Sequence, residues 1–396
     1  MNQRPRKPLV HLGCRLAILG LAAVGLGPVS LLVVLGETWR GRLAGAIALT
    51  SLLTILAGLR VAATFGRARV AWLAAMAAGV VAILVGSLIA ERSRPKPSPG
   101  GPTGLQSVWF GPRGRDRAWP PDWIPEVDLV GLAGRLVGSL TRVWDGEHGG
   151  RIASVVPRLA REVAADPAGG GLPTVHHLAI AELVGRPFDA GHYYAYVPET
   201  RPGERLGAIV FLHGDGGNLA ILPWAWREYA ESRRLAIVSP THGFGFWGEG
   251  GGEAVDQTLD DALARFPIDP ARVDLAGISD GGVGVIRSAA AHPDRYRGLI
   301  AISPTLRLDD AGSEGLAKGW QGRPILVVQG DRDANVTKAS VDRGVDRLRR
   351  SGLVVTYRIV PGEDHFLFFG RPAEVFGAID AWRAGAIVLD STPGGL

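Results

Sequence analysis

Two hydrophobic rhythms divide the chain. The first is unbroken: Leu16 to Gly36, Leu43 to Leu59 and Val70 to Ala90 contain no ionisable residue and are bordered by Arg15, Arg40, Arg42, Arg60, Arg67, Arg69 and Arg92. A run near 20 apolar residues matches about 30 Å of hydrocarbon at 1.5 Å per residue. The pattern therefore predicts three transmembrane helices within residues 1–91, with residues 16–90 in contact with a lipid bilayer. A cleaved signal peptide would account for the first run alone. The second rhythm starts at His176, where short apolar runs alternate with amphipathic segments. Strands are predicted at His192–Pro198, Gly207–Leu212, Leu235–Ser239, Val273–Ile278, Leu299–Ser303, Ile325–Gln329 and Val354–Val360. Helices are predicted at Ile221–Glu231, Glu253–Phe266, Val283–His292, Lys338–Arg350 and Pro372–Ala384. Several of the strands are apolar at every position, as strands covered on both faces of a parallel sheet are. Residues 176–390 thus read as an α/β domain with a doubly wound, mostly parallel sheet.

Between the two rhythms the pattern lapses. Residues 92–125 are so dense in Pro and Gly that they read as a linker. Its Trp109, Phe110, Trp119 and Trp123 suit either a membrane interface or packing on the domain that follows. Residues 126–175 read as a helical prelude, two helices separated by D-G-E-H-G-G (145–150). In the first, Leu129, Leu132, Leu136, Val137, Leu140, Val143 and Trp144 make one apolar face for packing on the α/β domain.

Charge changes the picture in one respect. The net charge of +5 is unevenly held: residues 1–117 carry 15 Lys or Arg and 3 Asp or Glu, while the remainder carries 28 and 35. The basicity belongs to the membrane flanks, and the acidic remainder lacks the basic face that nucleic acid requires. Three spans place the N-terminus and the α/β domain on opposite sides. Seven basic residues against five favour an inner N-terminus and an extracytoplasmic domain. The lone Cys14 excludes an intramolecular disulfide, and the apolar run follows it, unlike a lipoprotein anchor.

The chemistry centres on G-I-S-D-G-G, Gly277 to Gly282, between the strand ending at Ile278 and a helix. A serine in such a turn is pushed above the sheet edge at the positive end of the helix, and only glycine-sized neighbours allow it. A serine hydroxyl needs a base, and the base needs an orienting carboxylate. The strand Ile325–Gln329 leads into G-D-R-D, offering Asp331 and Asp333, and the strand ending at Val360 leads into P-G-E-D-H-F with His365. All lie at the same sheet edge as Ser279.

With Ser, Asp and His each following its own strand in that order, the region from His192 to Ala384 resembles the α/β-hydrolase superfamily. Its style is that of compact esterases of the dienelactone-hydrolase, feruloyl-esterase and polyhydroxyalkanoate-depolymerase groups. The resemblance implies a serine esterase with Ser279 as nucleophile and His365 as base. The family's G-x-x-D spacing selects Asp333 over Asp331, and Asp364 becomes a loop-stabilising residue. F-L-H-G-D-G-G-N, Phe211 to Asn218, corresponds to the family's oxyanion turn. That carries the oxyanion donors to the backbone N–H groups of Asp215 and Asp280, with Gly214 or Gly216 as alternatives to Asp215, and leaves His213 as a brace. Two acidic side chains are awkward there unless they point away. Such chemistry needs no metal or organic cofactor, and His176, His177 and His192 lack ligand spacing. The roughly 20 residues between Ser303 and Pro324 are too few for a helical cap domain, and Phe244, Phe246 and Trp247 in the glycine-rich loop are candidates to line a substrate pocket. The implied substrate is a small or polymeric ester. The same motifs also fit a serine peptidase of oligopeptidase type, and a non-catalytic membrane scaffold is the reading from a different class; oligomeric state is not encoded legibly.

Overall fold

In the computed structural model the described residues are 7–93, 103–111, 123–140, 146–169, 172, 191–243, 245, 247–248 and 250–385. The chain divides into two compact units, Met1–Arg94 with Ala118–Arg135, and Pro95–Arg117 with Leu136–Leu396.

The first unit contains α1 (Lys7–Ser30), α2 (Leu32–Leu35), α3 (Trp39–Val61), α4 (Gly66–Arg92) and the beginning of α5 (Glu126–Leu140). Three stretches, Arg15–Leu35, Trp39–Val61 and Gly66–Arg92, are long and apolar enough to cross a membrane. Leu21, Val24, Val34 and Leu84 stand exposed along them, as side chains that meet lipid would. Helices in lipid gain little from hiding apolar surface, so close approach through small residues takes over. At Gly45 a Cβ would lie 2.5 Å from the Val33 nitrogen, so only glycine lets α2 and α3 come this near. The start of α3 is capped by Thr38, whose Oγ1 accepts from Gly41 N–H at 3.0 Å. The buried Asp128 of α5 in turn accepts from Glu37 N–H (2.6 Å), Thr38 N–H (3.1 Å) and the Thr38 hydroxyl (2.5 Å). This carboxylate explains why the first turns of α5, whose apolar spacing suggested packing on the α/β domain, belong to the helical unit.

The second unit is built on an eight-stranded sheet. Its elements are β1 (Gly104–Phe110), α6 (Gly146–Ala165), β2 (Gly191–Val197), β3 (Leu206–Leu212), α7 (Ile221–Ala225), α8 (Arg227–Arg233), β4 (Leu235–Pro240), α9 (Gly251–Arg265), β5 (Ile268–Ile278) and α10 (Gly281–Ala291). They continue with β6 (Gly298–Ile302), α11 (Leu308–Ala311), α12 (Glu314–Gly319), β7 (Pro324–Gly330), α13 (Lys338–Arg350), β8 (Val354–Val360), α14 (Leu367–Gly370) and α15 (Pro372–Arg383). The strand order is β1-β2-β4-β3-β5-β6-β7-β8. β2 runs antiparallel to both neighbours, and every other pairing is parallel. This doubly wound, mostly parallel sheet is the α/β-hydrolase fold. One core lies beneath α9, α10 and α13 and includes Val255, Val285 and Val345. The other lies beneath α7, α8 and α15 and includes Leu222, Tyr229 and Ile379.

Two expectations are corrected. Gly104–Phe110, read as linker, forms the edge strand β1, in register with β2 from Gly104↔Val197 to Phe110↔Gly191. Its Trp109 ring packs on His192 and its Phe110 ring on Tyr193, at centroid separations of 4.8 and 5.9 Å. Pairing with an existing edge supplies the order that the proline-rich flanks withhold. Nor does D-G-E-H-G-G interrupt the prelude as a loop, because α6 begins at Gly146 and runs through the rest of that segment. Val143, Trp144 and Trp119 lie outside the described residues.

Candidate active site

The topology sets the position of the site. The chain passes from β3 to β4 on one side and returns to β5 on the other, so the strand order reverses at β3. The crevice beyond the carboxyl ends of β3 and β5 is where an open α/β sheet has room for a ligand. β3 leads into His213–Asn218 and β5 into Ser279.

Ser279 has φ 55, a left-handed conformation rare for a residue with a side chain. Such a residue costs about 1–3 kcal/mol and persists where its surroundings over-determine it. Here they do: Ser279 N–H donates to Ile302 O (3.1 Å), and Ser279 O accepts from Gly282 N–H and Thr305 N–H, both at 2.9 Å. Glycines make room for the turn. A Cβ on Gly277 would lie 2.5 Å from Gly281 O, and a Cβ on Gly214 would lie 2.8 Å from Ser279 Cβ. The turn His213–Asn218 thus passes directly against the serine.

His365 and Asp333 are joined: Nδ1–H donates to Asp333 Oδ2 at 2.8 Å, with both residues buried. Asp333 Oδ1 accepts from Asn335 N–H (2.9 Å) and Val336 N–H (2.8 Å). Asp331 instead accepts from Gly362 N–H at 2.7 Å, tying the β7 loop to the β8 loop, and Asp364 caps Phe366 N–H at 2.9 Å. Ser279 Oγ and His365 Nε2 hydrogen-bond no described residue. The two therefore stand unlinked here, with Nε2 available to accept.

The backbone N–H groups of Gly214, Asp215, Gly216 and Asp280 also meet no acceptor among the described residues, so the turn offers unsatisfied donors without selecting between them. The carboxyl of Asp215 is pushed upward by partial burial and by the Asp280 carboxylate, and pulled back by His365. Asp215, Asp280 and His365 thus share one electrostatic neighbourhood. Among the described residues no group of three or more His, Cys, Asp or Glu is placed to hold a metal ion. His176, His177, Phe244 and Phe246 lie outside the described residues.

No family model matches the chain, and no curated protein matches it. Solved structures do. A fluorophosphonate-binding serine hydrolase of Staphylococcus aureus, FphF, is 16% identical over 48% of this chain and 92% of its own, with a TM-score of 0.43. A hyperthermophilic esterase from Pyrobaculum calidifontis is 16% identical over 50% and 83%, with a TM-score of 0.42. A puromycin-hydrolysing peptidase of Mycobacterium tuberculosis is 16% identical over 51% of this chain and 38% of its own, with a TM-score of 0.40.

The structure corrects the role expected of Trp247. Only 2% exposed, it is a core residue rather than a pocket wall. Its Nε1–H donates to His213 O at 2.8 Å, its ring lies 5.0 Å from that of His213, and a Cβ on Gly284 would sit 2.9 Å from its Cγ. Trp247 so braces the turn that begins at His213. Asn218 braces it from the side, donating to Ser239 O (2.7 Å) and Thr241 Oγ1 (3.0 Å). Thr241 Oγ1 also bonds Nδ1 of the buried His192 at 2.7 Å. An asparagine closing a glycine-rich turn was the available signal for this bracing, whereas its partners lie in distant strands.

His213 itself is wholly buried and hydrogen-bonded at both nitrogens. Nδ1–H donates to Gly214 O (2.9 Å), and Nε2 accepts from His242 N–H (3.3 Å). Only the neutral Nδ1–H tautomer satisfies both bonds. Burial above all pushes its pKa down to about 4; the Gly214 carbonyl pulls upward and His242 adds a smaller downward push. The unfolded chain takes up this proton near pH 6.5, so the contribution is fully present above that pH and is lost as pH falls towards 4. Its size is roughly 3 kcal/mol. Denaturant unfolding between pH 7.5 and 4 should show this decline in the wild type, and the decline should be shallower in His213→Gln. Parallel slopes would exclude the assignment.

Proposed function

We propose that the chain is a membrane-anchored serine hydrolase that cleaves carboxylic esters through Ser279, His365 and Asp333. The observation that carries the reading is the 2.8 Å bond between His365 Nδ1 and Asp333 Oδ2 at the sheet edge that also holds Ser279 in its strained turn. His365 Nε2 takes the Ser279 proton as Oγ attacks the ester carbonyl. Asp333 keeps the imidazole in the Nδ1–H tautomer and stabilises the imidazolium. The tetrahedral oxyanion rests on N–H groups of the Asp215 turn and of Asp280, each such donor being worth about 2.7–4 kcal/mol in transition-state stabilisation. His365 returns the proton to the leaving alcohol, and water then hydrolyses the acyl-enzyme by the same route. The three apolar helices serve as the anchor, with the hydrolase domain on the extracytoplasmic side.

Purified full-length protein in detergent should be labelled by a fluorophosphonate probe, and Ser279→Ala should abolish labelling; labelling that persists in the variant sinks the reading. A panel of chromogenic esters and aminoacyl amides should show turnover of esters and little of amides. The reverse would favour a peptidase, and labelling without turnover of either would favour a binding role. An alkaline phosphatase reporter fused at Gly100 should be active, since that enzyme matures only outside the cytoplasm. An inactive reporter in an expressed fusion would reverse the orientation.

A further inference from the structure

The run Ile325 to Gln329 ends on an amide inside the sheet. Gln329 is 0% exposed, and burying a primary amide is unfavourable unless its hydrogen bonds are remade. Its Nε2 lies 3.1 Å from Asp333 Oδ2, 3.0 Å from Val336 O and 3.2 Å from Gly330 O. These three oxygens fix the orientation of the amide, because the flipped form would set its oxygen against all of them. Gln329 Oε1 has no partner among the described residues. The side chain is therefore held by its donor end, and what that end holds is the carboxylate that bonds His365.

Asp333 Oδ2 accepts from both His365 Nδ1–H and Gln329 Nε2–H, while Oδ1 accepts two backbone N–H groups from its own loop. Among the described residues Gln329 is the one side chain besides His365 that donates to Asp333. We infer that Gln329 is a positioning residue for the reaction: it fixes where Oδ2 meets the imidazole and draws off part of the negative charge that Oδ2 offers it. The inference rests on the reading of Ser279, His365 and Asp333 as the reacting set. The amide also gathers Val336 O and Gly330 O, so the loop from Gly330 to Val336 closes around the carboxylate. Gln329 acts on His365 only through Asp333 and touches no substrate.

The sign of the effect is testable. Gln329→Met keeps the length of the side chain and removes both N–H donors, so the charge on Oδ2 concentrates on its bond to His365. The imidazolium is then favoured, and the acid limb of the kcat/KM profile moves to higher pH by about half a unit, while kcat falls about tenfold at unchanged KM. Gln329→Leu, an apolar replacement of similar volume, likewise removes both donors and moves the limb the same way. The other acids near His365, Asp215, Asp280 and Asp364, are the same in all three proteins. Rates are measured on a chromogenic ester with full-length protein, normalised to sites titrated by a fluorophosphonate, and thermal unfolding is followed in parallel. An upward limb in both variants supports the inference. A limb that stays at the wild-type pH in a folded, titratable variant overturns it even if kcat falls, since loose packing lowers rate without moving the limb. Should Gln329→Met not fold, Gln329→Leu decides alone by the same criterion. Failure of the underlying reading would appear separately, as labelling or turnover that survives Ser279→Ala.

Discussion

Asp333→Asn should lower kcat by about 10⁴-fold while leaving KM nearly unchanged, the scale at which loss of an orienting carboxylate disables a Ser-His pair. The reason lies in the four donors around the carboxylate. Asn335 and Val336 N–H groups point at Oδ1 from the loop backbone and cannot turn away. An asparagine at this position must therefore present its amide oxygen to them and its NH2 group to the other side. That side holds His365 Nδ1 and Gln329 Nε2. An NH2 group facing Nδ1 makes that nitrogen the acceptor and moves the imidazole proton to Nε2, the atom that has to receive the Ser279 proton. The histidine stays close to its place in the wrong tautomer. Steady-state kinetics on a chromogenic ester check this, with near-UV circular dichroism confirming a folded variant. A variant within tenfold of wild type would mean that Asp333 does not set the tautomer.

What could be read in the sequence follows the range of the interactions involved. Strands β3 to β7 announce themselves because a parallel strand covered on both faces needs apolar side chains at consecutive positions, as in Ala208–Leu212 or Ile325–Val328. Ser279, Asp333 and His365 could be found for a similar reason: each follows its own strand closely, so knowledge of the strands brings all three to one edge. β1 escaped because seven residues between proline-rich segments carry little local signal, and their order comes from pairing with β2 some 85 residues later. Only the first turn of α6 escaped, because glycines at 146, 149 and 150 weaken a helix locally, whereas Leu159, Ala160 and Val163 bury its later turns. Trp247 looked like a pocket residue because a tryptophan among glycines in a loop gives no hint of which way it faces. Gln329 was visible as a polar end to an apolar strand, but its role depends on an oxygen that the loop brings back to it.

The least legible of the stabilising groups is Asp274, and its removal should have the largest effect on stability. It stands in the apolar run Val273 to Ala276 and is 0% exposed. Its Oδ1 accepts from Arg297 Nε at 3.0 Å, and its Oδ2 accepts from Arg297 (2.7 Å) and from two nitrogens of Arg383 (3.1 and 2.5 Å). These arginines come from the start of β6 and the end of α15, so one carboxylate ties both to β5. A buried ion pair gains little over a well-packed apolar replacement, but removing one partner leaves the others buried and uncompensated, at a cost of about 3–5 kcal/mol. The lower end applies here, because the Arg297 side chain is 45% exposed and can recover hydration. Asp274→Ala should therefore destabilise the domain by about 3 kcal/mol, lowering its melting temperature by roughly 10 °C. Asp274 lies five residues before Ser279 in β5, and its carboxylate is engaged by Arg297 and Arg383 rather than by the Ser279 turn. The variant should accordingly keep its kcat at 25 °C per titrated site while melting early. A melting temperature within 2–3 °C of wild type, about the shift that 1 kcal/mol produces, would show that solvent reaches the guanidinium groups and that the network contributes no more than a surface pair. A loss of kcat without a change in melting would instead show that the clamp acts on the turn at Ser279 through the strand itself.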